Sequence, residues 1–218
     1  MHALLPVALL AVFLGMRHAT DPDHVVAVAT IVSRQRSAWS ASRIGALWGL
    51  GHSATLLVVG AALATFRLAI PPRLGLATSA LVGVMLLSLG ALNLRPAPAL
   101  AGHAHPHRLA GARPLFVGVV HGLDGSAAVT LAALAAVHDV RAAIAYLVVF
   151  GLGTLVGMTI ITAAIAVPGV YAAARLGRLQ HRLRIAAGVV SVVYGGVLLY
   201  RAVVLGGLFT DAPLWTAE

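Results

Sequence analysis

Residues 17–24 read RHATDPDH and place five ionisable side chains, one arginine, two histidines and two aspartates, within eight positions. The segments on either side, LLPVALLAVFLGM and VVAVATIV, are apolar almost throughout. A charge at the centre of a bilayer costs about 2.5–3.5 kcal/mol on insertion scales, so ionisable residues in such a segment are typical of a functional site. Imidazoles and carboxylates are ligands of divalent cations. The stretch therefore predicts a cation site among membrane-embedded helices.

Residues of the same types lie inside other apolar segments. The predicted metal ligands are His18, Asp21, Asp23, His24, His52, His121 and Asp124. On one continuous helix, His18, Asp21 and His24 share a face about 120° wide, and Asp23 points away. Three buried aspartates and Arg17 leave a formal charge of −2, the complement of one divalent cation. Because the chain contains no cysteine, the ligand set suits nickel, cobalt, zinc or manganese and disfavours copper(I).

The composition predicts an all-α membrane protein. Of its 218 residues 60% are hydrophobic and 10% are charged, whereas a soluble domain carries about 25% charged residues. Six apolar segments approach or exceed the roughly 20 residues that cross a bilayer, and in lipid they must be helices. They run over Ala3–Val32, Ile44–Phe66, Leu74–Leu94, Pro114–Val137, Ala142–Val167 and Ile185–Leu205. Gly15 and Pro22 interrupt the first, and Gly122 and Gly125 flank the equivalent place in the fourth, so helices 1 and 4 are predicted to be broken at the midplane.

The two halves of the chain resemble each other. FLGMRHATD (13–21) aligns with FVGVVHGLD (116–124), and GLG recurs at 49–51 and 151–153. Because each half has three spans, the second half must be inverted, as in secondary transporters built from inverted repeats. We expect a single transmembrane domain over 1–218. Its parts are repeat 1 at about 1–95, a His-rich link at 96–113, repeat 2 at about 114–206 and a short polar tail at 207–218.

The arginines predict the orientation in the membrane. They are scattered between apolar segments and form no basic face, so the net charge of +9 does not indicate a nucleic-acid partner. The loops after spans one, three and five hold ten (Arg34, Arg36, Arg43, Arg95, Arg108, Arg113, Arg175, Arg178, Arg182, Arg184), and the other side holds four (Arg67, Arg73, Arg141, Arg201). The positive-inside rule then places the link in the cytoplasm and both termini outside the cytoplasmic membrane.

Four short motifs resemble those of the nickel/cobalt transporter (NiCoT) family. His18, Asp23 and His24 form its His-x4-Asp-His signature, and LGHS (50–53) is similar to its second motif. GLD (122–124) resembles the third, with Ala128 where the family has a glutamate, and Gly157-Met158 resembles the fourth, with Thr162 in place of its aspartate. The resemblance covers spans one, two, four and five and implies metal-selective permeation. The missing acids indicate a distant six-span subgroup, either the relatives associated with urease genes or the exporter branch.

Other polar residues have two interpretations each. The buried His and Asp residues form either a metal site or a structural hydrogen-bond cluster, and Arg17 is predicted to be a counter-ion of Asp21. His103, His105 and His107 either buffer metal or belong to an ordinary solvated linker. His2 completes an amine, amide and imidazole set suited to square-planar nickel, although an ordinary N-terminal segment is the favoured interpretation.

The leading hypothesis is a secondary transporter of Ni²⁺ or Co²⁺, without a prosthetic group, whose partners are the transported ion and the bilayer. Export by the same architecture is the second possibility. A membrane acyltransferase using His18-x4-Asp23 is a third, disfavoured because no extramembrane stretch is large enough for such a domain. Export of an amino acid or small anion would not explain three buried aspartates against one arginine.

Overall fold

The computed structural model describes residues 4–33, 35, 37–68, 70–95, 112–124, 139–175 and 177–215, and these are organised entirely as helices and connecting turns. The helices are α1 (Leu4–His18), α2 (Pro22–Val32), α3 (Ala38–Phe66), α4 (Pro72–Leu94), α5 (112–124), α6 (Val140–Arg175) and α7 (Gly177–Tyr200), with a π-helical turn at Arg201–Leu205. The prediction of an all-α protein is confirmed for these residues.

Four stretches are long and apolar enough to cross a membrane: Ala38–Phe66, Pro72–Leu94, Val140–Tyr171 and Arg178–Leu205. They contain the predicted second, third, fifth and sixth segments. The helices begin earlier or end later than the apolar runs, and α6 continues through Pro168 to a length of 36 residues. The chain is therefore a membrane protein, and at 1.5 Å per residue α6 is longer than the roughly 30 Å of a hydrocarbon layer.

The first predicted segment is divided into α1 and α2, of 15 and 11 residues, neither of which alone reaches the roughly 20 residues that cross a bilayer. Pro22 has no N–H and disfavours helical backbone in the residue before it, so Asp21 is extended, with φ −60° and ψ 144°. The predicted break is thus present at Pro22. The predicted interruption at Gly15 is wrong, because α1 continues through it to His18.

Glycines set the distances between the helices. A Cβ atom at Gly15 would meet the carbonyl oxygen of Phe150 in α6, and one at Gly118 would meet that of Trp48 in α3. Small residues of this kind let helix backbones in membranes approach closely. Two further contacts bring α4 against α7 in the same way, at Gly83 with Gly195 and at Gly90 with Gly188. Close backbone contacts at glycines therefore join α1 to α6, α5 to α3 and α4 to α7.

The ends of the bundle are identified by polar contacts. The Asn93 side-chain amide, near the end of α4, donates to Ser33 Oγ after α2 and to the carbonyl oxygen of Arg184 early in α7, both at 3.0 Å. At the opposite end, Arg73 Nη2 in the first turn of α4 donates to the carbonyl oxygen of Thr210, after α7, at 3.1 Å. Helices α4 and α7 are therefore antiparallel.

Several sequence predictions lie outside the described residues. They concern His2, the link histidines His103, His105 and His107, Ala128, and the later part of the predicted fourth span, 125–137. The described part of that span is α5, which includes His121 and Asp124.

Replacement of Gly15 or Gly118 by alanine should destabilise the protein, because the new methyl group would collide with backbone rather than with a movable side chain. We expect a loss of about 1–3 kcal/mol, seen as a lower midpoint of thermal unfolding in detergent. Gly196→Ala is the matched control, since a Cβ at Gly196 has no neighbour within 4 Å. Equal midpoints for all three variants would contradict the close helix packing.

Candidate metal site

Four histidines from four helices converge in the interior; His18, His24, His52 and His121 are called the histidine cluster. His24 is central, with its ring centroid 4.9 Å from His18, 5.0 Å from His52 and 5.1 Å from His121. His24, His52 and His121 are buried, and His18 is half-buried. One ring nitrogen from each of His18, His24 and His52 lies within 4.8 Å of the others, a spacing that one metal ion can bridge after small adjustments.

The break between α1 and α2 brings the first two histidines together. On a continuous helix His18 and His24 would be about 9 Å apart along the axis, at the two edges of the shared face about 120° wide. Here His18 ends α1 and His24 lies in the first turn of α2. The carbonyl oxygen of His18 has no helical partner at position 22, because proline has no N–H, and it accepts from the Asp21 N–H at 3.0 Å instead. The break is therefore closed by a turn and leaves both rings facing the same space.

The break also corrects the predicted direction of Asp23. Its side chain does not point away: Asp23 Oδ1 is 2.9 Å from His24 Nδ1, and Asp23 Oδ2 is 3.7 Å from His121 Nε2. The prediction failed because a single helical register was assumed across Pro22. Asp23 is therefore a direct neighbour of two members of the histidine cluster.

In three of the rings the Nδ1 atom faces a hydrogen-bond acceptor, so these rings are oriented alike. His18 Nδ1 faces Asp21 Oδ2 at 2.7 Å, His24 Nδ1 faces Asp23 Oδ1 at 2.9 Å, and His121 Nδ1 faces the carbonyl oxygen of Val117 at 3.3 Å. We assign the proton of each neutral ring to Nδ1, because that atom has an acceptor beside it. Each Nε2 then carries a lone pair. Carboxylates and carbonyls hold metal-ligating histidines in this way.

Several ring nitrogens of the histidine cluster have no hydrogen-bond donor beside them among the described residues. His24 Nε2, His52 Nδ1 and His121 Nε2 are buried and have no hydrogen-bond partner among the described residues, while His18 Nε2 lies 3.1 Å from His52 Nε2. Buried polar atoms in proteins are nearly always paired, and each exception requires an explanation. A cation bound among His18, His24 and His52 would accept a lone pair from each of these three rings. The chemistry of the cluster therefore fits a nitrogen-rich metal site with carboxylates beside it.

Asp124 lies on another helix and is held by hydroxyl groups of α4. Ser79 Oγ donates to Asp124 Oδ1 at 2.6 Å, and Thr78 Oγ1 donates to the same oxygen at 3.1 Å. Sequence reasoning missed both residues, although a Thr-Ser pair inside an apolar span is itself a polar signal. Since these bonds use Oδ1, the second oxygen of Asp124 is left for a ligand or water.

The cluster opens onto a cavity of about 530 Å³, called the first cavity. His18, Asp21, Asp23, His24 and Asp124 all line it. A wall with three carboxylates attracts cations and lets a metal ion keep part of its water shell before it reaches the imidazoles. The geometry can therefore bring a cation to the cluster from one side.

The predicted polar tail also contributes to the first cavity. Leu214 and Trp215 line it, and the Trp215 ring lies over Gly75 in α4, where a Cβ atom would collide with the indole. The Leu214 N–H donates to the carbonyl oxygen of Gly206 at 2.9 Å. The tail is thus folded back over α4, because Gly75 leaves a recess that an aromatic ring fills.

The structure also describes two further residues that the sequence analysis singled out, Arg17 and Thr162, and it corrects the predicted role of Arg17. Arg17 is exposed and forms no ion pair with a carboxylate of the described residues; Asp21 pairs with His18 instead. Thr162, which stands where the resembled motif has an aspartate, donates to the carbonyl oxygen of Met158 in its own helix and lies beside Gly45.

Sequence reasoning also missed Trp48, which stacks on His24 with ring centroids 5.6 Å apart. Its position four residues before His52 places both on one face of α3.

Comparison with curated proteins finds relatives over most of the chain. It is 31% identical over 225 aligned residues to the urease accessory protein UreH of Bacillus sp. (strain TB-90), covering 97% of both proteins. It is 27% identical to the Arabidopsis thaliana chloroplast proteins FOR GROWTH AND FERTILITY 2 and 1, over 84% and 81% of this chain. The chain spans about half of the length of each of these two proteins, 53%. No family model matches the chain, and neither does any solved structure.

The apolar helices and the buried histidine cluster define a membrane protein with a candidate metal site between its helices. The likeness to the Bacillus protein is above 30% and covers nearly the whole of both chains. The chain belongs to the family of the urease accessory protein UreH.

If the cluster binds metal, His52→Ala removes a ligand and Asp23→Asn weakens the hold on His24. We expect nickel and cobalt to bind about 10- to 100-fold more weakly to Asp23→Asn, the usual effect of losing a partner that orients a ligand, and at least as weakly to His52→Ala. Equilibrium titration of the purified protein in detergent measures both. His181→Ala, which changes an exposed histidine, is the control. Unchanged affinity in the two site variants would show that the rings are structural.

Proposed function

We propose that this protein is a secondary transporter that carries Ni²⁺ or Co²⁺ across the cytoplasmic membrane, with the histidine cluster as its intramembrane site. The observation that carries the proposal is that the buried Nε2 atoms of His24 and His121 have no hydrogen-bond partner among the described residues and lie beside an acid-lined cavity. Unpaired buried polar groups destabilise a fold, so their presence here indicates that they serve another purpose. Replacement of the water shell of a metal ion is such a purpose.

The ligand types favour late first-row metals. Imidazole nitrogens suit nickel, copper(II), zinc and iron, and affinity at such sites rises from manganese toward copper. The residues that line the first cavity include no cysteine or methionine, so a soft ion such as copper(I) would find no sulfur ligand there. The relative UreH is named a urease accessory protein, and the motifs around the site resemble those of nickel/cobalt transporters. Among the metals that fit the site, nickel is therefore the first candidate, with cobalt second.

The transport path we propose is formed by two inverted repeats. His18 and Asp21 correspond to His121 and Asp124 at one constant offset, and both pairs contribute to the cluster or to the first cavity. The glycine contacts are related in the same way: Gly15 with Phe150 corresponds to Gly118 with Trp48.

The contacts between α4 and α7 support the same symmetry. The pair Gly83 and Gly195 is exchanged with the pair Gly188 and Gly90 when each residue is replaced by its counterpart 105 positions away. Contacts repeated with the helix partners interchanged are what an inverted twofold produces. Six spans would follow if the fourth continues beyond α5.

Orientation follows from the arginines. Arg95, Arg113, Arg178, Arg182 and Arg184 belong to one end of the bundle, and Arg73, Arg141 and Arg201 belong to the other. The positive-inside rule assigns the richer end to the cytoplasm. The first cavity, lined by Arg201 and by the tail, then faces outside. A membrane potential that is negative inside favours uptake by about 2.3 kcal/mol per charge per 100 mV.

The two alternatives differ in what they require. An acyltransferase would need His18 and Asp23 to act together, but His18 bonds Asp21, and Asp23 bonds His24. No observation therefore favours it. Export by the same site differs from uptake only in direction, and a transport assay separates the two: uptake raises the nickel content of expressing cells, and export lowers it.

His18→Ala and Asp124→Asn should each reduce the initial rate of radioactive nickel uptake by at least about tenfold, since one removes a ligand and the other removes the charge contributed by the second repeat. Asp211→Asn makes the same charge change at an exposed position and should leave the rate unaltered. Full activity in His18→Ala would refute the ligand assignment. Full activity in Asp124→Asn alone would refute a shared site of the two repeats.

Competition identifies the cargo. A tenfold excess of Co²⁺ should slow nickel uptake strongly, and the same excess of Mn²⁺ should change it little, because imidazole sites bind manganese more weakly than either metal. The rates are compared in the same vesicles at constant ionic strength. Equal inhibition by Mn²⁺ and Co²⁺ would indicate that carboxylates rather than imidazoles select the ion.

A further inference from the structure

A second cavity lies on the other side of the histidine cluster. Its volume is about 460 Å³, and its wall includes Thr30 in α2, Ile44 and Leu47 in α3, Asn93 in α4 and Val117 in α5. None of these residues lines the first cavity. The two cavities are therefore separate spaces that share helices.

The order of residues along the shared helices places the cluster between the cavities. In α5, Val117 lines the second cavity, His121 belongs to the cluster, and Asp124 lines the first cavity. In α2, His24 lines the first cavity and Thr30 lines the second. At 1.5 Å per residue, the cluster lies within about 10 Å of either space.

Trp48 occupies the position between the cluster and the second cavity. It directly follows Leu47, a wall residue of that cavity, and its side chain is fully buried. Its ring is stacked on His24, with centroids 5.6 Å apart at 27°, and meets His121 edge-on at 5.3 Å. An indole in this place closes the cluster toward the second cavity, while the first cavity remains in contact with it.

We propose that Trp48 is the closed gate of the transport path and that the second cavity is the vestibule beyond it. The inference rests on the proposed function, because it treats the two cavities as one path. Opening requires the indole to leave His24 and His121. The buried Nε1–H of Trp48 has no hydrogen-bond partner among the described residues, so the closed position lacks a bond that water in the second cavity would supply.

The charges of the two cavities support the same assignment. Three aspartates, Asp21, Asp23 and Asp124, line the first cavity against one arginine, Arg201, whereas the charged residues that line the second are Arg43 and Arg113. Neither of these arginines forms an ion pair with a carboxylate in the part of the chain that the structure describes. A divalent cation that passes Trp48 thus moves from an attractive to a repulsive wall, which favours its release on that side.

Thiol accessibility tests the gate without using nickel. The chain has no cysteine, so Ser79→Cys in the first cavity and Ser40→Cys in the second each introduce the only thiol. Sealed membrane vesicles of either orientation are treated with Ag⁺, a small thiol-reactive cation. After solubilisation, the thiols that remain free are counted by the gel shift with a polyethylene glycol maleimide.

With Trp48 intact, we expect Ag⁺ to reach the Ser79→Cys thiol only from the side of the first cavity and the Ser40→Cys thiol only from the opposite side. Adding Trp48→Ala should let Ag⁺ from the first side reach Ser40→Cys at least tenfold faster. Trp39→Ala, which changes a 73% exposed tryptophan of the same helix, is the matched control and should leave both rates unchanged.

Reaction of both thiols from one side with Trp48 intact would overturn the proposal, and that measurement does not depend on the folding of Trp48→Ala. Continued closure in a monodisperse Trp48→Ala protein would also overturn it. Sidedness as expected, together with no nickel transport by the unsubstituted protein, would retain the gate and refute the cargo. Nickel transport without the expected sidedness would refute the gate alone.

Discussion

Pro22 imposes the constraint on which the site depends. Because it cannot continue α1, the chain turns at Asp21 and restarts as α2, and His18 and His24 face each other across the turn. Asp21 and Asp23, which flank the proline, then become the partners of these two rings. One residue that ends a helix thus creates the space for a ligand and orients the groups that surround it.

The site also depends on glycines, which let the helices around it pack closely. Helices in lipid gain nothing from hiding apolar side chains, so their association depends on close packing. The contacts of Gly15 with α6 and of Gly118 with α3 bring backbones together around the cluster. Next to it, Gly122 packs on the backbone of His52, which fixes the distance between α5 and α3. The positions of His18 and His121 are therefore set by glycines of their own helices.

The sequence was sufficient to predict an all-α membrane protein, four of its long apolar helices and the break at Pro22, because apolar runs in lipid must be helical and proline ends a helix. It also singled out the four histidines that lie together in the structure, and their role as metal ligands stays a prediction. It could not predict the direction of Asp23, since helical periodicity holds only within one continuous helix. Trp48 was missed because a tryptophan in an apolar span is ordinarily part of the core. The position of the tail was also missed. A recess such as that at Gly75 exists only once α4 and the turns after α7 are in place.

The Trp215 ring, which packs over Gly75, separates the part of the chain that shapes the cavity mouth from the part that forms the histidine cluster. The rim of the first cavity is built partly by residues that follow the last helix, and these lie outside the histidine cluster. Substitutions after Leu205 can therefore widen or narrow the mouth of the cavity without altering the cluster. The rim and the cluster are encoded in different stretches of the polypeptide, so each can change without loss of the other.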